Sequence, residues 1–196
     1  MSIQSSLGEL LISSNYDREL LRFANQCAPV ICGVKPSNLI MLLEHEVRSV
    51  KSYIKNTTLE LYSIGVVGTR NMILIYRKQE LTDYLKKEKI SLFLECYGYD
   101  NIELIDCLMK LKMRISLYYY KKHTFPHELG IFLGYPIEDV EQFIIHKGQN
   151  FLMEGYWKVY SNVEQTKKLF LKYDKAREYV VNGIGQGKSL LQLTIE

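Results

Sequence analysis

The side chains best suited to acid–base chemistry are neighbours in the sequence, His127 and Glu128, directly after Pro126. Proline favours the first position of a helix, and the positive end of a helix favours the neutral form of histidine. A neutral imidazole accepts a proton or binds a ligand, and an adjacent carboxylate can orient it. The alternative is a structural histidine that holds a neighbouring segment through a buried hydrogen bond, and the sequence favours this alternative.

A second candidate is the segment 155–160, Gly-Tyr-Trp-Lys-Val-Tyr, which contains the single tryptophan of the chain. Side chains alternate along an extended segment, so Tyr156, Lys158 and Tyr160 share one side and Trp157 lies on the other. Aromatic side chains supply large contact areas in ligand grooves and in protein interfaces. We expect Trp157 to fill the core while the side with the two tyrosines faces outward.

Two further motifs suggest anion binding. Lys35 precedes Pro-Ser-Asn, a typical helix start, where the free N–H groups of Ser37 and Asn38 could hold an anion beside it; a solvated lysine or an ion pair is favoured. The segment 183–189, Gly-Ile-Gly-Gln-Gly-Lys-Ser, resembles a phosphate-binding loop but has Asn182 where that loop requires its first glycine. Because it follows a predicted helix and not a strand, it indicates a helix end.

Composition and charge argue against several classes of protein. The 196 residues are 47% hydrophobic and 24% charged, with a formal net charge of +3. This is typical of a globular protein and predicts one domain, 1–196, without specific nucleic-acid binding. Four cysteines (Cys27, Cys32, Cys96 and Cys107) lack the spacing of a metal site and indicate reduced thiols in a cytoplasmic protein. We expect no secretory signal and no membrane span, because no apolar run approaches ~20 residues.

Hydrophobic periodicity predicts a helix-dominated α+β fold with a small, largely antiparallel sheet. The runs 59–67 and 72–76 favour strands, and the short Gly- and Asn-containing loop between them predicts a hairpin. The apolar stretch 28–34 is expected to add a third strand, and 36–56 to form a helix. Further helices are predicted over 5–25, 79–98, 101–113, 126–133, 137–147 and 162–182, while 110–118 also alternates with the period of a strand.

Local signals refine the C-terminal half. Asp100 with Glu103 and Ser161 with Glu164 predict capping boxes. Residues 127–145 resemble a helix-turn-helix, but the acidic first turn of the second helix, with Glu138, Asp139 and Glu141, would repel DNA phosphates. A packed helical hairpin is therefore favoured, which together with the following long helix could form a sub-lobe, 126–182.

Two stretches of the chain resemble a known family. They comprise Cys-Ala-Pro at 27–29 with Gly-Val-Lys-Pro-Ser-Asn-Leu at 33–39, and Phe-Pro-His-Glu-Leu-Gly at 125–130 with Phe-Leu-Gly-Tyr-Pro at 132–136, Glu-Asp-Val at 138–140, Lys-Gly at 147–148 and the segment 155–160. Together they are similar to a bacterial family, domain of unknown function 3793. The resemblance implies no activity, cofactor or catalytic residue, and it suggests a partner related to flavodoxin or to iron uptake.

Two functions follow from these residues as hypotheses. The first is a binding or accessory module without catalysis, which acts through the surface around His127 and the segment 156–160. The second is a small-molecule-binding protein or enzyme in which His127, Glu128 and Lys35 line a pocket. The sequence favours the first and assigns neither a catalytic residue nor a cofactor. A concave site of ~300 Å³ or more with convergent polar groups would favour the second.

Overall fold

The computed structural model describes residues 17–120 and 123–194, so the first part of the helix predicted over 5–25 lies outside the described residues. The helices are α1 (Arg18–Ile31), α2 (Glu44–Tyr53), α3 (Lys78–Leu85), α4 (Glu88–Glu95), α5 (Leu104–Tyr119), α6 (Leu129–Phe132), α7 (Ile137–Ile145), α8 (Val163–Gly185) and α9 (Leu190–Leu193). The strands are β1 (Ser37–Leu42), β2 (Leu59–Val67), β3 (Arg70–Arg77), β4 (Met153–Glu154) and β5 (Lys158–Val159). The predicted α+β class is confirmed.

The main sheet has three antiparallel strands in the order β1-β3-β2. The predicted hairpin is confirmed as β2–β3, with a register shift between Ser63 and Gly65. Alternating side chains of the central strand enter two different cores: Ile73 and Ile75 pack among α1, α2 and α8, whereas Leu74 packs among α3 to α7. The sheet is therefore covered by helices on both faces, and a second sheet of two strands, β4–β5, forms a short hairpin.

The third strand of the main sheet is β1, not the predicted 28–34. Residues 28–31 instead complete α1, which Asp17 caps by accepting hydrogen bonds from the N–H groups of Glu19 and Leu20. Pro29 lies in the last turn of α1, where it supplies no N–H to the helix, and its carbonyl accepts hydrogen bonds from Val34 and Lys35 at 2.8 and 3.0 Å.

The predicted helix over 36–56 divides into a strand and a helix. Along β1, Ile40 and Leu42 enter one core while Leu39 and Met41 pack against the other. A strand buried on both faces is apolar at nearly every position, and its leucines continued the periodic pattern of the following helix α2. The hydrophobic pattern therefore corresponds to a helix only from residue 44 onward.

Helix α5 continues to Tyr119, so the segment 110–118, for which the sequence left helix and strand open, is helical. Several local predictions are wrong: the N-cap of α5 is Glu103 and not Asp100. Asn162, not Ser161, caps α8. Pro126 precedes α6 by three residues and does not open it. The helix end predicted at 183–189 is confirmed, since α8 stops at Gly185. No helix among the described residues is long and apolar enough to cross a membrane.

Candidate functional site

An aromatic pocket of about 360 Å³ lies between the α6–α7 hairpin and the β4–β5 hairpin. Six rings line it: Phe125, His127, Tyr135, Phe143, Tyr156 and Trp157. Aliphatic side chains, two glycines and the charged residues Asp139, Glu154 and Lys158 complete the wall. The structure thus brings His127 together with three residues of the segment 156–160, Tyr156, Trp157 and Lys158, although 29 or more positions separate them in the chain.

Asp139 fixes one wall of the aromatic pocket. This carboxylate is 3% exposed and accepts four hydrogen bonds from the segment after β4. The donors are Trp157 Nε1 at 2.7 Å, the backbone N–H groups of Tyr160 at 2.8 Å and Ser161 at 3.1 Å, and Ser161 Oγ at 3.3 Å. Asp139 therefore faces the interior of the protein. Its place in an acidic helical turn had instead suggested a side chain that faces solvent.

Ring packing sets the position of Trp157. Its indole stacks on Tyr135 with ring centroids 4.8 Å apart and meets the edge of Phe170 of α8 at 4.6 Å. Gly155 makes this approach possible, because a Cβ at this position would lie 2.3 Å from Phe170 Cε2. The expected burial of Trp157 is confirmed at 8% exposure, and the indole nevertheless forms part of the pocket wall.

His127 lies between two aromatic rings of the pocket. The centroid of its imidazole is 5.3 Å from that of Phe125 and 5.5 Å from that of Phe143. Burial lowers the pKa of His127, while the nearby Glu128 raises it. The neutral form is therefore favoured by desolvation and not by a helix terminus, since α6 begins two residues later and has only four residues. Within the described chain the imidazole forms no hydrogen bond, which leaves both nitrogens available to a ligand.

The other two polar candidates of the aromatic segment are already engaged. Lys158 Nζ donates a hydrogen bond to the carbonyl of Gly148 at 2.8 Å and lies 4.7 Å from the ring centroid of Phe151. Tyr160 does not line the pocket: its ring stacks on His146 at 5.8 Å. Its backbone N–H donates to Asp139, so its observed role is to hold the segment in place.

Glu128 lies in the core and not in the aromatic pocket. Its side chain is fully buried and pairs with Arg114 of α5 through both carboxylate oxygens. It also accepts a hydrogen bond from Tyr99 Oη at 3.2 Å. Because its oxygens are occupied in this way, Glu128 does not orient His127. The sequence contained no signal for this pair, since Arg114 and Glu128 come from different elements.

Lys35 lines a second cavity of about 460 Å³, the basic cleft, together with Arg22, Asn25, Asn38, Tyr156 and Arg177. Lys35 is 5% exposed, and its ammonium group donates to Asn38 Oδ1 at 2.8 Å and lies 5.3 Å from the ring centroid of Tyr135. It is thus neither solvated nor part of an ion pair with another described residue. Ser37 begins a strand, so the expected helix N-terminus beside Lys35 is absent.

The three residues of the proposed His127–Glu128–Lys35 pocket therefore occupy three different environments. His127 lines the aromatic pocket, Lys35 lines the basic cleft, and Glu128 is in the core. Tyr156 borders both cavities, with its hydroxyl donating to Asp174 Oδ1 at 2.7 Å. Sequence reasoning missed Tyr135, Phe143 and Arg177, because nothing but tertiary structure relates them to these residues.

One group of possible metal ligands occurs elsewhere, at Glu19, His45 and Glu46, whose ligand atoms lie within 4.8 Å of one another. Glu46 already accepts the backbone N–H of Leu43 at 2.7 Å and pairs with Arg22 at 3.6 Å. These contacts satisfy the most buried carboxylate of the group. We assign it no metal.

The buried ammonium of Lys35 predicts a pH-dependent stability. Desolvation lowers the pKa of Lys35 from 10.5 to about 8. Between these two values the unfolded chain binds more protons than the folded protein, so this residue makes stability rise with pH across the window. Lys35→Met lacks this titrating group, so its stability does not rise in this way. Its free energy of unfolding minus that of wild type should therefore fall by about 3 kcal/mol as the pH rises from ~7 to ~10.5. Urea denaturation of both proteins at a series of pH values measures this difference.

The control for this experiment is Lys172→Met, because Lys172 is exposed on α8. Its stability should follow the wild-type pH profile throughout. Parallel profiles for Lys35→Met and wild type would show that the lysine is not a buried charge in the folded protein.

The comparisons with known proteins identify a family. The family model described as protein of unknown function (DUF3793) matches residues 23–194, and the chain belongs to this family. No curated protein and no solved structure matches the chain. The match covers both stretches that carried the resemblance in sequence, and it includes every lining residue of the two cavities except Arg22.

Proposed function

We propose that the protein binds a small aromatic molecule in the aromatic pocket. The observation that carries this proposal is a concave site of about 360 Å³ walled by six rings from four separate segments of the chain. Ligand pockets of this type range from about 300 to 1,000 Å³ and are mostly apolar with a few placed polar groups. The depth of the site favours the small-molecule hypothesis over a flat protein-contact patch.

The size and chemistry of the pocket restrict the ligand. An apolar cavity of about 150 Å³ accommodates benzene, so a cavity of about 360 Å³ fits a fused pair of rings or one substituted ring. Stacking against Phe143 and Trp157 favours a planar ligand. The free imidazole of His127 supplies a hydrogen-bond donor and an acceptor on opposite nitrogens, which favours a ligand with a polar ring substituent.

Binding is favoured over catalysis because two of the three Asp, Glu and Lys side chains that line the pocket are already committed, and the third, Glu154, is exposed on β4. Asp139 accepts four hydrogen bonds, and Lys158 is held by Gly148. A general base needs a second group to orient it or to receive its proton, and the carboxylate next to His127 in sequence is paired with Arg114. A protein partner related to flavodoxin or iron uptake, and a cytoplasmic location, stay predictions.

The test combines ligand capture with an intrinsic reporter. Purified protein is incubated with a small-molecule extract of the cells in which it naturally occurs, and retained compounds are identified by native mass spectrometry. Because Trp157 is the single tryptophan and lines the pocket, each compound is then titrated by tryptophan fluorescence. We expect a planar aromatic compound to bind and to change the emission of Trp157.

A pair of matched variants locates the binding site. Phe143→Ala removes a ring from the pocket wall and should weaken binding about tenfold, since one aromatic contact contributes roughly 0.5–1.5 kcal/mol. Phe93→Ala removes a comparably half-buried ring that packs against Tyr97 outside the pocket, and it should leave binding unchanged. Equal affinities of the two variants, or the absence of any retained aromatic compound, would refute the proposal.

A further inference from the structure

The basic cleft concentrates positive charge without neutralising it. Three of its nine lining residues are cations, Arg22, Lys35 and Arg177, and none of the nine is a carboxylate. Among the described residues, neither Lys35 nor Arg177 forms an ion pair, and Arg22 reaches Glu46 only at 3.6 Å with a side chain that is 63% exposed. Charges inside proteins are usually paired, whereas Lys35, at 5% exposure, has no anionic partner among the described residues.

Lys35 is held ready for such an anion. Asn38 donates its Nδ2 hydrogen to the carbonyl of Gln26 at 3.0 Å, which leaves Oδ1 to accept a hydrogen bond from Lys35 Nζ. This one hydrogen bond uses one of the three protons of the ammonium group. Burial lowers the pKa of Lys35 to about 8, so the side chain is still mostly charged at neutral pH.

Arg177, which also lines the cleft, is held in a similar way. Its Nε donates to Asn25 Oδ1 at 3.2 Å, and Nη1 lies 3.5 Å from Tyr156 Oη. The hydroxyl of Tyr156 itself donates to Asp174 Oδ1 at 2.7 Å. Polar side chains of α1 and β1 thus orient Lys35, and polar side chains of α1 and of the β4–β5 turn orient Arg177. The remaining N–H groups of Arg177 are left for a ligand.

From this arrangement we propose that the basic cleft binds the phosphate group of a small phosphorylated molecule. A phosphate carries a charge of about −1.5 to −2 and several acceptor oxygens, so one group can satisfy Lys35 and Arg177 together. Arginine and lysine are the side chains that most often recognise phosphate. The cleft, at about 460 Å³, also exceeds the size of a phosphate ion, which indicates that the phosphate is attached to a larger organic group.

The proposal is tested on the full chain by isothermal titration calorimetry in a chloride buffer at neutral pH. The probes are inorganic phosphate, ribose 5-phosphate, and ribose as the uncharged control. We expect saturable one-to-one binding of both phosphates and none of ribose. None of the three probes has an aromatic ring, so the outcome is independent of the aromatic pocket and of the function proposed for it.

Variants assign the binding to the cleft. Arg177→Gln and Lys35→Met should each weaken binding about tenfold or more, because each removes a charge-assisted hydrogen bond to the phosphate. Lys172→Met, on an exposed position of α8, should bind as wild type does. If Lys35→Met does not fold, the affinity of the Arg177→Gln variant alone decides whether the cleft binds phosphate, because Arg177 is only half-buried. The proposal is overturned if neither phosphate binds, or if Arg177→Gln binds them as well as wild type does.

Discussion

Replacing Asp139 with alanine should lower the free energy of unfolding by about 3–5 kcal/mol. The substitution removes the acceptor for the indole of Trp157 and for the backbone N–H groups of Tyr160 and Ser161. Water does not readily replace a buried carboxylate that is 3% exposed, so these donors would be left without partners. The same loss should release the wall of the aromatic pocket, since Trp157 forms part of it.

Chemical denaturation followed by the fluorescence of Trp157 measures both effects, because the indole reports on its own environment. Asp139→Asn keeps the shape of the side chain but offers only one acceptor oxygen, and an intermediate loss is expected. Glu138→Ala is the matched control: it removes the exposed neighbouring carboxylate, whose pair with Lys89 at 3.9 Å is exposed to solvent, and should cost less than about 1 kcal/mol. A loss below that level for Asp139→Ala would contradict the anchoring role of this carboxylate.

The second large effect is expected at the buried ion pair of Arg114 and Glu128. Arg114→Met would leave the fully buried carboxylate of Glu128 with only Tyr99 Oη at 3.2 Å as a partner. Breaking a buried pair by removing one partner typically costs about 3–5 kcal/mol, because the remaining charge is uncompensated. We expect a loss of this size for Arg114→Met in urea denaturation.

The double variant Arg114→Met, Glu128→Gln distinguishes the charge from the packing. It removes both charges and should recover a large part of the lost stability, since neutral replacement of a buried ion pair is often tolerated. The exposed pair of Lys86 and Glu103 at 2.9 Å supplies the control, and Lys86→Met should change stability by less than about 1 kcal/mol. If the double variant is as unstable as Arg114→Met alone, the effect comes from packing and not from the stranded charge.

The elements that sequence predicted well are those with one dominant local signal. The β2–β3 hairpin follows from two β-branched runs around a short turn, and α8 from a stripe of apolar residues that includes Tyr173, Ala176 and Val180. Each pattern repeats often enough within its own segment to determine the structure. Where a local signal conflicted with burial on both faces, as in β1, the prediction was wrong.

Pro29 and Asp139 show how position in the fold changes the meaning of a residue type. A proline that follows a helical pattern normally indicates the end of the helix. Pro29 instead lies within the final turn of α1, where its carbonyl accepts hydrogen bonds from the N–H groups of Val34 and Lys35. An aspartate in the first turn of a helix normally faces solvent and complements the helix dipole. In α7 the β4–β5 hairpin covers that turn, and Asp139 becomes the most engaged acceptor of the pocket wall.

The sequence by itself determined the α+β class, the hairpin and most of the helices, and it singled out His127, Trp157 and Lys35, because these inferences depend on periodicity and side-chain chemistry within short segments. Tertiary structure alone decided which of those residues meet. It placed His127 beside Trp157 and Lys158, separated Glu128 from both by pairing it with Arg114, and brought Lys35 to the same cleft as Arg177 from 142 positions away. Such contacts depend on the packing of α1 against α8 and of the α6–α7 hairpin against β4–β5, and no local pattern encodes the distance between two elements.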